Sequence, residues 1–339
     1  MPISVRTLAA CAATTLLCLT PVVAHADPDR PSGGCQAVTF PVPQGTIAGT
    51  LCLPDRPTDT VMVLMSGSNY NATYWDWSYQ PEIYNFRRAM NAAGYATLTA
   101  DRLGNGASTR PFSLTLTAQD TADALHVIVQ AARAGLPGAQ PFTKVVTAGH
   151  SLSSSTSIME DIAHHDVDGV LLTGYSHALS VPDVLGVIAS YYPAADDPVF
   201  AGRGVDPGYL TTRPGTREAD FFDPGHADPN VVALDEATKE TFSLTEYPDG
   251  LLATLPGESS LVDVPVMIVD GDHDRLSCGA GFSACADAGT LYATEAPYFA
   301  PAARLRTFIV PNSGHSINLA RDTKAYQAQV IDWMRSIAN

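Results

Sequence analysis

The sequence predicts an α/β fold, a mostly parallel sheet with helices on both faces. Short apolar runs rich in β-branched residues recur from residue 60 onward, helix-length segments separate them, and 339 residues suffice for one large core. The runs are "TVMVLMSG" (60–67), "YATLTAD" (95–101), "KVVTAG" (144–149), "DGVLLTG" (168–174), "VPVMIVDG" (264–271) and "RLRTFIVP" (304–311). Continuous apolar runs of this length suit strands covered on both sides, since a strand with one wet face would alternate. Strands that alternate with helices through right-handed crossovers build a parallel sheet.

The elements follow in chain order. Residues 1–26 read as a secretory leader: Arg6 is the positive end, "TLAACAATTLLCLTPVV" is apolar, and "AHA" at 24–26 is a small-residue cleavage site. Pro21 and the shortness of the run argue against a membrane anchor. "LAAC" at 8–11 resembles a lipoprotein box, but no apolar region precedes it. The remaining domain, 27–339, is expected outside the cytosol, with no stable membrane insertion.

The formal net charge is −16, and loss of Arg6 makes it one unit more negative. Such a field disfavours nucleic acid and anionic membrane surfaces. Cys11 and Cys18 leave with the leader, and Cys35, Cys52, Cys278 and Cys285 remain. Four cysteines in an exported chain allow three pairings. We favour Cys35–Cys52, because "CQAVTFPVPQGTIAGTLC" reads as a hairpin with cysteines at its outer ends, and Cys278–Cys285 then closes a short loop. A zinc site would call for CxxC pairs, which are missing.

Helices are expected over "PEIYNFRRAMNAAG", over "AQDTADALHVIVQAARAG", after Ser151, and over "DTKAYQAQVIDWMRSIAN". The last places Ala325, Val330, Trp333 and Ile337 on one stripe. One interval breaks the rhythm. Residues 176–260 are too long for a crossover and rich in Pro, Gly, Asp and aromatics, so we read them as an inserted cap or lid.

Ligands of an open parallel sheet bind beyond the carboxyl ends of the strands. Ser151 follows "KVVTAGH", Asp274 follows "VPVMIVDG", and His315 follows "RLRTFIVPNSG". A serine hydroxyl is a poor nucleophile at neutral pH until a base takes its proton. His315 is that base, and a carboxylate fixes its tautomer and steadies the imidazolium. "VDGDHD" offers Asp270, Asp272 and Asp274 for the last role.

Through "GHSLS", "SGHS" and "DRLGNGAS" (101–108), the chain resembles an α/β-hydrolase of the serine-esterase and lipase type, over essentially all of its length outside the cap. The order Ser, Asp, His is the order of that fold. The resemblance implies that Asp274 is the acid, from Gly-x-x-Asp, and that the Ser68 and Leu152 amides hold the oxyanion. It implies no metal and no organic cofactor. Two departures stand out: Ser153 replaces the usual elbow glycine, and Ser66-Gly67 stands where many relatives have His-Gly.

The activity implied is cleavage of a small-molecule or lipid-like carboxylic ester, a lactone, a thioester or a polyester through an acyl-enzyme. The competing class is a non-catalytic binding protein on the same fold. Tyr70, Tyr74, Trp75 and Trp77 in "SNYNATYWDW" offer walls for an apolar pocket, or else pack beneath the oxyanion turn. The sequon Asn71-Ala72-Thr73 lies too near the site to carry a glycan. Asp270-x-Asp272-x-Asp274 mimics a calcium loop but has Arg275 and Gly281 where such a loop needs Gly and Glu. Ser151 has an alternative role as a helix N-cap, and His315 as a cap of the last helix. His126, His164, His165, His177 and His226 read as surface or core residues without chemical company.

Overall fold

The computed structural model describes residues 34–338, and the leader expected at 1–26 lies outside them. In chain order the strands are β1 (Cys35–Val42), β2 (Gly45–Cys52), β3 (Thr60–Met65), β4 (Ala96–Ala100), β5 (Lys144–His150), β6 (Gly169–Thr173), β7 (Tyr191–Pro193), β8 (Tyr209–Thr212), β9 (Phe242–Ser243), β10 (Val266–Gly271) and β11 (Arg306–Val310). The helices are α1 (Pro81–Tyr84), α2 (Phe86–Ala92), α3 (Ala118–Ala134), α4 (Leu152–His164), α5 (Val181–Ala189), α6 (Arg217–Phe221), α7 (Pro229–Ala237), α8 (Tyr247–Gly250), α9 (Ala288–Glu295) and α10 (Thr323–Ala338).

The main sheet has eight strands in the order β1-β2-β4-β3-β5-β6-β10-β11, and each of the six apolar runs supplies one. From β4 to β11 every pairing is parallel, while β2 runs antiparallel to both neighbours. β3, β4, β6 and β10 are buried at every position. β3 shows why its sequence has no polar face. Val61, Val63 and Met65 join the core containing Ile128 and Val129 of α3, while Met62 and Leu64 join the one containing Val330 and Trp333 of α10. Side chains that alternate across a sheet need apolar residues at both phases when helices cover both sides.

α3 starts where a capping box sets it. The Asp120 amide donates to Thr117 Oγ1 at 3.2 Å, and the Thr117 amide donates to Asp120 Oδ2 at 2.9 Å. Two expectations need correction. The single helix expected over residues 81–94 is two, because Asn85 leaves the helical region (ψ 97°) and its Oδ1 caps α2 through the Arg88 amide at 2.8 Å. On α10 Ala325 is exposed, and Tyr326 takes its place in the buried stripe with Val330, Trp333 and Ile337. A large ring one position on fills the space against Phe86 that a methyl group leaves open, at 5.3 Å between centroids.

Cys35 pairs with Cys52 across the β1–β2 hairpin, where they are register partners, and Cys278 with Cys285. Residues 176–260 carry α5 to α8 and a small antiparallel sheet, β7-β8-β9. Among the described residues, no helix is long and apolar enough to cross a membrane.

Candidate active site

The strand ends converge on one recess of about 670 Å³, its open mouth included, lined among others by Ser68, Ser151, Leu152 and His315. Ser68 follows β3, Ser151 follows β5 and His315 follows β11, so the parallel strands deliver all of them to the same edge.

At the β5–α4 junction Ser151 has φ 54° and ψ −124°, a conformation that non-glycine residues rarely adopt. Such backbone costs about 1–3 kcal/mol and persists only where the surroundings enforce it. The hydroxyl does not cap α4, so the capping role fails. The turn is possible because its neighbours lack side chains. A Cβ on Gly149 would stand 2.2 Å from the Ser153 carbonyl oxygen, and one on Gly67 would stand 2.7 Å from Ser151 Cβ. The two departures of the sequence meet here, since Ser153 Oγ donates to the Ser66 carbonyl at 2.6 Å. The serines thus tie the elbow to the end of β3.

His315 Nδ1 lies 2.8 Å from Asp274 Oδ2. Asp274 is fully buried, and its other oxygen accepts from the amides of Leu276 (2.8 Å) and Ser277 (3.1 Å). An oxygen held by two amides fixes the carboxylate, which in turn fixes the ring. The two other aspartates of the segment face elsewhere: Asp270 accepts from the Tyr175 amide and Asp272 from the Ser313 amide. His315 is therefore bonded within the site and does not cap α10. Ser151 and His315 share the recess, with no direct hydrogen bond between their side chains in this structure. Catalytic hydrogen bonds are often long in the free state and tighten around substrate. Among the described residues, the Ser68 and Leu152 amides donate to no other backbone group.

Of the aromatics singled out, Tyr70 lines the recess, its hydroxyl 2.6 Å from Ser316 Oγ. Tyr74 and Trp75 do not line it, which corrects their reading as substrate contacts. Tyr74 stacks on His150 with centroids 4.3 Å apart, and Trp75 meets Phe86 at 5.0 Å, so both are packing beneath the turn that follows β3. Trp77 is likewise buried.

Several residues of the site escaped the sequence reading. His150, the middle residue of "GHS", donates from Nε2 to the His315 carbonyl at 3.2 Å. Burial first, then the neighbouring His315, holds its imidazole well below the usual range, so it stays neutral. Leu179, Val184, Val187, Leu251 and Leu276 form an apolar wall, with Tyr191 and Tyr247 beside them. Most come from residues 176–260, where composition gave no pocket code. Phe221 and Tyr70 are braced from behind by buried Arg217, 5.0 and 4.4 Å from their ring centroids, which pairs with Asp235.

His177 also has company, contrary to its reading as an isolated core residue. Its Nδ1 lies 2.6 Å from Glu295 Oε2 and its Nε2 lies 3.0 Å from Ser259 Oγ. All three side chains are sealed from solvent. His126 is likewise accompanied, by Glu160 and Asp166.

This fold and this recess define a hydrolase scaffold with its chemistry at the strand ends. The sequence matches the alpha/beta hydrolase family over residues 62–328, and the chain belongs to that family. Among solved structures it is similar to DcsB in complex with its substrate analogue, at 16% identity and a TM-score of 0.60, covering 90% of this chain and 99% of that one. It is also similar to a thermostable carboxyl esterase from Bacillus coagulans (15% identity, TM-score 0.60, 90% and 99% covered). A thermophilic esterase from Thermogutta terrifontis gives 16%, 0.56, 90% and 100%. At these identities the likeness is one of fold. No curated protein matches the chain in sequence.

Proposed function

We propose that the protein is a secreted serine hydrolase that cleaves a carboxylic ester with an apolar acyl group. The observation that carries this reading is Ser151 in a strained elbow, facing the same recess as the Asp274-bonded His315.

In this reading His315 Nε2 takes the Ser151 proton as Oγ attacks the carbonyl carbon. The Ser68 and Leu152 amides receive the oxyanion, and each such donor is worth about 3–4 kcal/mol in the transition state. The imidazolium then protonates the leaving alcohol, and water activated by the same ring releases the acid. The acyl chain lies along Leu179, Val184, Val187 and Leu276, and residues 176–260 act as the cap that carries most of this wall. Esterase relatives of the same fold support the reaction class. The leader and the two disulfides support export.

The test is covalent labelling with a fluorophosphonate probe, wild type beside Ser151→Ala, followed by a panel of esters, lactones and thioesters of graded chain length. Labelling of wild type alone, with ester turnover, supports the reading. A folded wild type that takes no probe overturns it in favour of a binding protein.

A further inference from the structure

At the far end of α4 from Ser151, three residues from separate places converge: His126 of α3, Glu160 of α4, and Asp166 in the loop that follows. His126 Nδ1 stands 3.3 Å from Glu160 Oε1 and 3.0 Å from Asp166 Oδ2, and the three atoms all lie within 4.8 Å of one another. Metal–ligand bonds of about 2.0–2.1 Å at tetrahedral angles put neighbouring donor atoms about 3.3–3.4 Å apart. The 3.3 Å spacing to Glu160 matches that edge, and the 3.0 Å spacing to Asp166 is slightly shorter than it.

Protein contacts alone leave the cluster unsatisfied. One imidazole nitrogen carries at most one proton and faces two carboxylates. Glu160 is fully buried, and its Oε2 has no hydrogen-bond partner, nor has Asp166 Oδ1. A buried carboxylate without a partner is costly. His126 stacks on His164 with centroids 3.5 Å apart and planes at 13°. Gln130 Nε2 donates to Asp166 Oδ2, the kind of outer bond that orients a ligating carboxylate. Access is open from one side, since the His126 and Asp166 side chains are 27% and 18% exposed.

We propose that His126, Glu160 and Asp166 bind a divalent transition-metal ion of the zinc class, which clamps α3 to the C-terminal end of α4. Water completes the coordination. Glu160 lies nine residues beyond Ser151, about 13 Å along the helix at 1.5 Å per residue, so the ion's role is structural. A proton is the competing occupant: burial and then Asp166 push the Glu160 carboxyl up to about 9. Arg133 reaches Asp166 only through its backbone carbonyl, and its own carboxylate partner is Asp168. Asp161, His165 and Asp263 form a separate and more exposed neighbouring group.

The experiment strips the full protein with a chelator and titrates it with Zn²⁺ at pH 8, by calorimetry and by thermal unfolding. The variants His126→Ala and Asp166→Asn, both at partly exposed positions, are run beside it, together with Asp263→Asn. The expected result is one equivalent bound by wild type and by Asp263→Asn. Saturation at about 100 times Kd should raise Tm by about 5 °C. Affinity should fall at least about 100-fold in folded His126→Ala and Asp166→Asn. Co²⁺ should give the visible absorption of a low-coordinate site in wild type and Asp263→Asn, and not in His126→Ala or Asp166→Asn. Absence of uptake by folded wild type would overturn the proposal in favour of the shared proton. Undiminished binding by His126→Ala, or loss in Asp263→Asn alone, would overturn it by placing the ion in the neighbouring group.

Discussion

Two serine–histidine–acid groups lie within one fold, one a bonded relay and one the proposed triad, and they differ in what surrounds the hydroxyl. In Ser259–His177–Glu295 the imidazole bonds both partners, at 3.0 and 2.6 Å, and stacks on Tyr298 with centroids 3.9 Å apart. In Ser151–His315–Asp274 only the acid is bonded, and the hydroxyl stands free in a recess. On the proposed reading, the better hydrogen-bonded group is the one less able to react. Ser259 sits in a short helical turn (Glu258–Leu261) with no solvent access. Ser151 sits on a strained turn between two glycine-assisted approaches, with amides beside it that have no other backbone acceptor. A nucleophile needs room for a carbonyl and donors for its oxyanion, neither of which a satisfied core relay supplies.

The sealed relay has a position that explains it. His177 and Ser259 stand near the two ends of residues 176–260; Glu295 of α9 holds His177 through its amide and Nδ1, and His177 Nε2 in turn bonds Ser259. The relay staples the base of the segment that builds the apolar wall. Asp270 lies between the two systems, fully buried. Burial raises its carboxyl well above the usual range, and the charges of Asp274 and then Glu295 raise it further.

The contrast is tested most severely by exchanging each serine for alanine. Ser151→Ala should lower kcat by about 10⁴–10⁶-fold with unchanged thermal stability, as removal of a triad nucleophile does. Ser259→Ala should leave ester turnover within about twofold and lose about 1–3 kcal/mol of stability, the cost of an unpartnered buried group. If Ser259→Ala silenced the enzyme while Ser151→Ala did not, the roles of the two relays would be reversed.

Next come the acids. Asp274→Asn should cost about 10⁴-fold in kcat through the wrong imidazole tautomer. Glu295→Gln, compared by kinetics and denaturant unfolding, should instead lower stability by about 1–3 kcal/mol with turnover retained.

A smaller effect concerns Asp270. A carboxyl raised in the folded state favours folding fully below its unfolded pKa, near 3.8, and that contribution is lost as pH rises through the folded value. Wild-type stability should therefore decline with rising pH by up to about 1.4 kcal/mol per unit from this group. Asp270→Asn should remove that part of the slope in urea titrations over a pH series. An unchanged slope would mean that the carboxyl is ionised throughout.

The smallest expected effect sharpens the pocket. Val187→Phe fills the wall contributed by α5, and should lower kcat/KM for long acyl esters about tenfold relative to acetyl esters. Equal loss on both would place the acyl chain elsewhere.

The legible parts of this molecule are local ones. The six strands announce themselves because each carries apolar residues at consecutive positions, and the elbow because strand, Gly-His-Ser and helix adjoin in the chain. Hairpin pairing of Cys35 with Cys52 was readable across a sequence separation of 17 for the same reason. "VDGDHD" narrowed the acid to three aspartates by sequence, and the family pattern chose among them. Aromatic content in "SNYNATYWDW" was visible, but the side on which each ring falls was not. That depends on which neighbour needs filling: Tyr74 answers His150 and Trp75 answers Phe86.

By itself the sequence determined the α/β sheet, its strand ends and the few polar groups delivered there, because burial on two faces and a tight turn write themselves into adjacent residues. Only the tertiary structure decided which histidines acquire partners. His177 meets residues 82 and 118 positions away, and His126 one 34 away. Contacts of that range are set by how helices and loops pack over the sheet, and packing is blind to spacing along the chain.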